Sequence, residues 1–229
     1  MSAEPAPDPK QAAPPRARRH RASGTARRDA LLAATVEVVA ERGWAGVTHR
    51  AVTEQAGVPL ATISYFFESI EELAAEALRV FTAERVRVMS SLNTVLATQQ
   101  LDFAGMAGLF AGAAAANRTQ SMAIFEAYLQ AGRQPEHRAM VADALAALRQ
   151  VATTALTAVG APDPEGAAES YAALVDGYAM HALTRENLEV DRVSLQRAIR
   201  ALFLGELVEA GRIEEAAQLS GAYPKHQGE

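Results

Sequence analysis

Along residues 31 to 78 the apolar positions return every three or four residues, and glycine or proline interrupts them at short intervals. Leu31, Leu32, Thr35, Val38, Val39 and Arg42 fall at helical spacing and leave one apolar face. This predicts a first helix capped by Thr25, with Asp29 favourable in its opening turn and Gly43 at its end. Trp44 is placed to pack under the turn that follows. Thr48 is the next cap, with Val47 and Val52 as a hydrophobic staple. That second helix ends at Ala56, and Gly57 suits the left-handed terminal position. Pro59 opens a third helix to Phe66, with Ile63 and Phe67 turned to the core. Ser69 and Glu72 form a capping box for a fourth, whose inner face continues through Leu73, Ala77 and Phe81. Short helices joined this tightly are the layout of a helix-turn-helix reader of DNA.

Beyond Glu71 one helical pattern follows another as far as Gly211, with no convincing strand. The fourth helix extends to about Thr98, and Asp102 caps an Ala/Gly-rich segment to Ala116, where three glycines weaken the helical reading. Further helices are expected near 119–132, 135–160, 164–187 and 191–210, opened by prolines and closed by glycines. The fold class is therefore all-α, with about nine helices. A three-helix helix-turn-helix domain occupies 25–70 and a larger helical bundle 71–211. A basic arm at 1–24, rich in Ala, Pro and Arg and without periodicity, reads as disordered, and 212–229 reads as a C-terminal tail.

Charge sharpens this picture. From Lys10 to Arg50 there are nine Lys or Arg against three acids, a net of +6, so a chain of net −5 carries −11 elsewhere. A basic tip on an acidic body fits a protein that touches nucleic acid with one end. The chain has no cysteine, which excludes disulfides and thiolate metal sites and makes a reducing cytoplasm its expected setting. The basic run Arg16 to Arg21 lacks the uncharged apolar stretch of a secretory signal. No window is long and apolar enough for a membrane span, so no membrane partner is expected.

The run from Leu31 to Leu78 resembles the N-terminal domain of the TetR family of transcriptional regulators. The first helix ending in ERGW, Val47-Thr48, the Ala56-Gly57-Val58 turn, Thr62-Ile63, Tyr65, Phe67 and the start of helix four carry the resemblance. It implies that Thr48 and Arg50 contact phosphate or a base edge. Leu60, Ala61 and Thr62 would lie closest to the bases, and Ser64 and Tyr65 against the backbone. The family commonly has a tyrosine where Ser64 stands and a phosphate-holding lysine where Ile70 stands. Losing that cation weakens nonspecific affinity, and the basic arm is a candidate to compensate.

The resemblance further implies a ligand cavity among the central helices. Phe81, Phe103, Met106, Phe110, Phe125, Tyr128 and Tyr178 are the candidate lining, and His181 is a candidate ligand hydrogen-bond donor or interface residue. It implies a homodimer packed through the last two long helices, with Leu174, Ile199, Phe203 and Leu207 as interface candidates. A symmetric dimer places two heads on a pseudo-palindromic double-stranded operator, released by a small apolar effector. The alternatives are an effector-independent DNA binder and, a distant third, an all-α enzyme. No Gly-rich phosphate loop, HExxH pair, GxSxG or EF-hand loop is present, so no enzyme, cofactor or metal is expected.

Overall fold

The computed structural model describes residues 16–98, 100–114, 117–185 and 190–221. The head comprises helix α1 (Arg16–Arg42), a 3-10 turn (Trp44–Gly46), α2 (His49–Ala56), α3 (Ala61–Phe66) and the start of α4 (Ile70–Leu96). The body adds α5 (Phe103–Ala114), α6 (Arg118–Arg133), a 3-10 turn (Pro135–His137), α7 (Arg138–Ala158), α8 (Pro164–Ala182), α9 (Arg192–Glu209) and α10 (Ile213–Gly221). Among the described residues there is no strand.

Three boundaries differ from expectation. Helix α3 begins at Ala61 instead of at Pro59, whose carbonyl accepts from the Thr62 N–H (2.9 Å) in the turn that leads into it. Helix α1 begins at Arg16 instead of at Thr25, so the arm's arginine run is helical; residues 1–15 lie outside the described residues. Arginine and alanine are good helix formers, and in sequence the run follows Pro14-Pro15, a natural start. The segment read as a tail contributes a tenth helix, α10, which packs on α9 through buried Ala216. Arg200 on α9 donates to the carbonyls of Leu219 (2.7 Å) and Ser220 (3.1 Å), satisfying acceptors at the α10 terminus.

The short elements of the head are held by their caps. The Thr48 hydroxyl accepts from the Ala51 N–H at 3.1 Å, and the Ser69 hydroxyl accepts from the Glu72 N–H at 3.0 Å. Glu72 reaches back to the Glu68 N–H (2.6 Å), one residue before the usual partner in a capping box. Gly57 adopts φ 65°, and the Val58 N–H bonds Thr53 O (3.1 Å), the Schellman closure that turns the chain from α2 toward α3. Leu31, Val38, Val52, Ile63, Phe67 and Leu73 form the core beneath these turns. Burial of each stabilises by roughly 1.5–3 kcal/mol. Arg28 on α1 donates to Glu76 on α4 (2.5 Å) while its guanidinium lies over the Phe67 ring (5.2 Å). That hydrogen bond holds the Glu76 carboxyl below its ordinary range and fastens α1 to α4 beside the end of α3.

In the body α4 packs chiefly along α7, and α7 along α8. Phe110 stacks obliquely on Tyr171 (5.5 Å) and Phe103 on Phe203 (5.3 Å), closing the core between α5, α8 and α9. Head and body meet where α1 lies along α6: Val39 is buried with Leu78, Ala127, Ala131 and Val141. Trp44 packs at the same seam, its ring 5.6 Å from His137.

Candidate functional site

Helix α3 divides cleanly into an inner and an outer side. Ile63 and, just past its end, Phe67 are buried, whereas Leu60 is 59% and Tyr65 80% exposed. Ala61 and Ser64 are exposed beside them, and Thr62 is half-buried. The Tyr65 ring touches the edge of Phe66 (4.8 Å) and, like Leu60 at the helix cap, leaves most of its surface in water, where it can serve a partner. Small neighbours at Ala61 and Ser64 allow the helix backbone to come close to that partner. At the start of α2, Thr48 and Arg50 are exposed. Because the Thr48 oxygen accepts the cap bond, its own hydrogen stays free to donate outward. Arg50 forms an exposed pair with Glu54 (2.7 Å), which costs little to exchange for a phosphate. Ile70 packs against the head core and brings no charge to the surface.

The body holds a cavity of about 350 Å³ bounded by α4, α5, α6, α7 and α8. Phe81 and Phe125 of the expected lining face it. Tyr128 does not line it but donates from its hydroxyl to Asp176 Oδ2 (3.1 Å), and Asp176 does line it. Burial raises the Asp176 carboxyl above its ordinary range, partly offset by the Tyr128 hydrogen bond and by Arg85. Burial, together with the Asp176 charge, also pushes the Tyr128 phenol up. The other expected positions go elsewhere. Met106 and Phe110 are closed inside the core, and Tyr178 packs against that core. Phe103 lines a separate space of about 430 Å³ between α5, α9 and α10. His181 is exposed and does not line the cavity. Arg85 and Asp176 were absent from the expected lining. Asp176 had a signal, an acid set within the apolar run LVDGYAM.

The interface expectation needs correction. Ile199, Phe203 and Leu207 are buried in the chain's own core at four-residue spacing with Leu195, so a second chain cannot reach them. Leu174 is half-buried against the same core. The wide apolar set of α9 is divided: Leu195, Ile199, Phe203 and Leu207 turn inward, while Val193, Ala201, Gly205 and Val208 remain outside. On α8 the corresponding exposed positions are Ser170, Ala173, Met180 and His181.

A capped helix-turn-helix with an unburied outer side, set on a helical body enclosing a cavity, defines a DNA-binding regulator. A family model described as bacterial regulatory proteins, tetR family, matches residues 31–77, and one described as tetracyclin repressor-like, C-terminal domain, matches 97–205. The chain belongs to the TetR family of transcriptional regulators, which are dimeric DNA-binding proteins and not enzymes.

Solved structures share the fold. The Streptomyces coelicolor A3(2) protein SCO7518 is 27% identical; the match covers 77% of this chain and 98% of that one, with a TM-score of 0.56. The multidrug binding protein EbrR in complex with imidazole is 25% identical over 77% of this chain and 94% of that one, with a TM-score of 0.57. The same protein with proflavin gives 25%, 77%, 99% and 0.54 respectively. None of the curated proteins matches the chain. No described helix is long and apolar enough to cross a membrane.

Proposed function

We propose that the protein is a repressor that holds a pseudo-palindromic operator as a homodimer and is released when a small, predominantly apolar molecule enters the body cavity. The observation that carries this reading is the span of α4. Its first turns bury Leu73 and Ala77 in the head core, and one to three turns later Phe81, Arg85, Val88 and Met89 wall the cavity. A ligand that favours one setting of α4 thereby favours one setting of the head. Release requires that it bind the two settings with different affinity. EbrR, which shares the fold, is a multidrug binding protein solved with imidazole and with proflavin, which supports a ligand role for the cavity.

In this reading Leu60, Ala61 and Thr62 meet base edges, Ser64 and Tyr65 the backbone, and Thr48 and Arg50 phosphate. The dimer forms through the exposed small-residue sides of α8 and α9. The test is fluorescence anisotropy of the full chain on DNA from upstream of its own gene, at physiological salt. Tyr65→Ala and Thr62→Ala should each cost about 1–3 kcal/mol of specific binding. Fold and dimer should persist. Binding that ignores sequence with the arm intact overturns the reading.

A second reading, an effector-independent DNA binder, is favoured by how little of the expected lining reaches the cavity, since only Phe81 and Phe125 of it do. That reading requires operator affinity to stay constant when the cavity is filled.

A further inference from the structure

The cavity is not uniformly apolar. Asp176 brings a carboxylate beside the apolar wall of Phe81, Val88, Ile124, Phe125 and Val175, and Glu84, Arg85, Gln120 and Ser121 complete the polar part of the lining. Removing a carboxylate from water costs several kcal/mol, and one hydrogen bond from a neutral phenol offsets only part of it. Arg85 lines the same cavity, yet among the described residues it forms no ion pair with Asp176. Asp176 is thus a half-buried acid answered by one phenol and, without direct contact, by Arg85.

The approach to the cavity has the same sign. A groove of about 750 Å³ between α1, α4 and α6 shares Phe81, Glu84 and Gln120 with the cavity, so the two spaces adjoin. The groove carries Asp29, Glu37 and Glu84 against Arg118 alone. Glu84 is engaged by Arg87 (2.8 Å) and Glu37 accepts from Gln55, which reduces but does not reverse the balance. An acid-lined mouth with low-dielectric walls concentrates cations and repels anions. A carboxylate-bearing ligand seeking Arg85 would lie beside both Glu84 and Asp176. A neutral ligand would leave Asp176 as it is.

We propose that the effector is a lipophilic organic cation, an amine or quaternary ammonium whose charge meets Asp176 and whose apolar body lies between Phe81 and Phe125. The two rings give the cation aromatic faces as well as apolar contact. A cavity of about 350 Å³ accepts a compact ligand of one or two rings. This inference rests on the reading above that the cavity is the effector site.

The test is calorimetric titration of the full chain with three matched probes: 4-phenylbutylammonium, 4-phenylbutan-1-ol and 4-phenylbutyrate. Each titration is paired with anisotropy of bound operator. The ammonium should bind about ten-fold or more tightly than either partner, as one desolvated charge pair gives. Asp176→Asn should remove that preference and leave the alcohol unchanged. Arg85→Gln should strengthen the ammonium and weaken the carboxylate. Tighter binding of the alcohol or the carboxylate with release of DNA overturns the charge assignment and leaves the effector cavity standing. So does a cation preference that survives in folded Asp176→Asn. Failure of all three to bind at millimolar concentration overturns both.

Discussion

Replacing Gly205 with phenylalanine separates the two sides of α9. A Cβ at Gly205 meets nothing within 4 Å in the single chain, so the ring has open space there. The isolated protomer should even gain about 0.5 kcal/mol, because glycine is the poorer helix former. In a dimer packed through small residues the same ring is overpacked, at about 1–3 kcal/mol per site. Two-fold symmetry places it twice, for about 2–6 kcal/mol, which raises the dissociation constant by roughly 30-fold to 20,000-fold. Phe203→Ala, only two residues away, should act oppositely. Phe203 is buried against Phe103, and its loss should cost about 3–5 kcal/mol of folding stability. Sedimentation velocity over a concentration series, paired with thermal melts followed by circular dichroism, reads both effects. A Gly205→Phe protein with an unchanged dimer constant, or a Phe203→Ala protein that is monomeric yet folds as stably as the parent, refutes the division of α9 described above.

Asp176→Asn should raise stability at pH 7 by on the order of 1 kcal/mol, a shift of about 2–4 °C in Tm. Burial raises the folded carboxyl above its unfolded value, so the native state holds the proton more tightly and stability falls as pH rises between the two values. The gain from asparagine should accordingly vanish in melts below the unfolded pKa, and a gain that persists there is evidence against this origin. Glu76→Gln has the opposite sign. Its carboxyl is held low by Arg28, so the substitution should cost about 1 kcal/mol at neutral pH and nothing once the pH lies below the folded value. Gly57→Ala should cost about 1 kcal/mol through the left-handed backbone alone, since a Cβ there meets no neighbour, and urea titration reads it directly. Deleting residues 1–22 should reduce the log–log salt slope of operator binding by up to about 4, if the basic residues there each neutralise a phosphate. An unchanged slope means that the run does not touch DNA.

The head was legible in the sequence because short-range rules govern it. Thr48, Gly57 and Ser69 act on partners within four residues, and the structure places each in the role that its type and position implied. Helix α10 escaped notice because no proline or cap announces it; it exists through Arg200 and its packing on α9. Periodicity identified α9 as apolar but did not say which apolar residue faces where. Ile199, Phe203 and Leu207 took the inner stripe because the space between α5 and α8 needed their volume. The cavity was least legible, since five helices meet to form it and no local pattern encodes their meeting. Phe110 and Phe125 look alike in sequence, yet one is closed in the core and the other borders empty space.

Trp44 is the chain's one tryptophan, and it lies on the turn between α1 and α2 with its ring against His137 of the body. The protein thus carries a native fluorophore at the joint where head and body meet. Its emission wavelength and its quenching by the facing imidazole depend on a separation of a few ångströms. The tilting of the head that the proposed release requires would therefore give an optical signal in unlabelled protein, without a dye, a cysteine or any added mass.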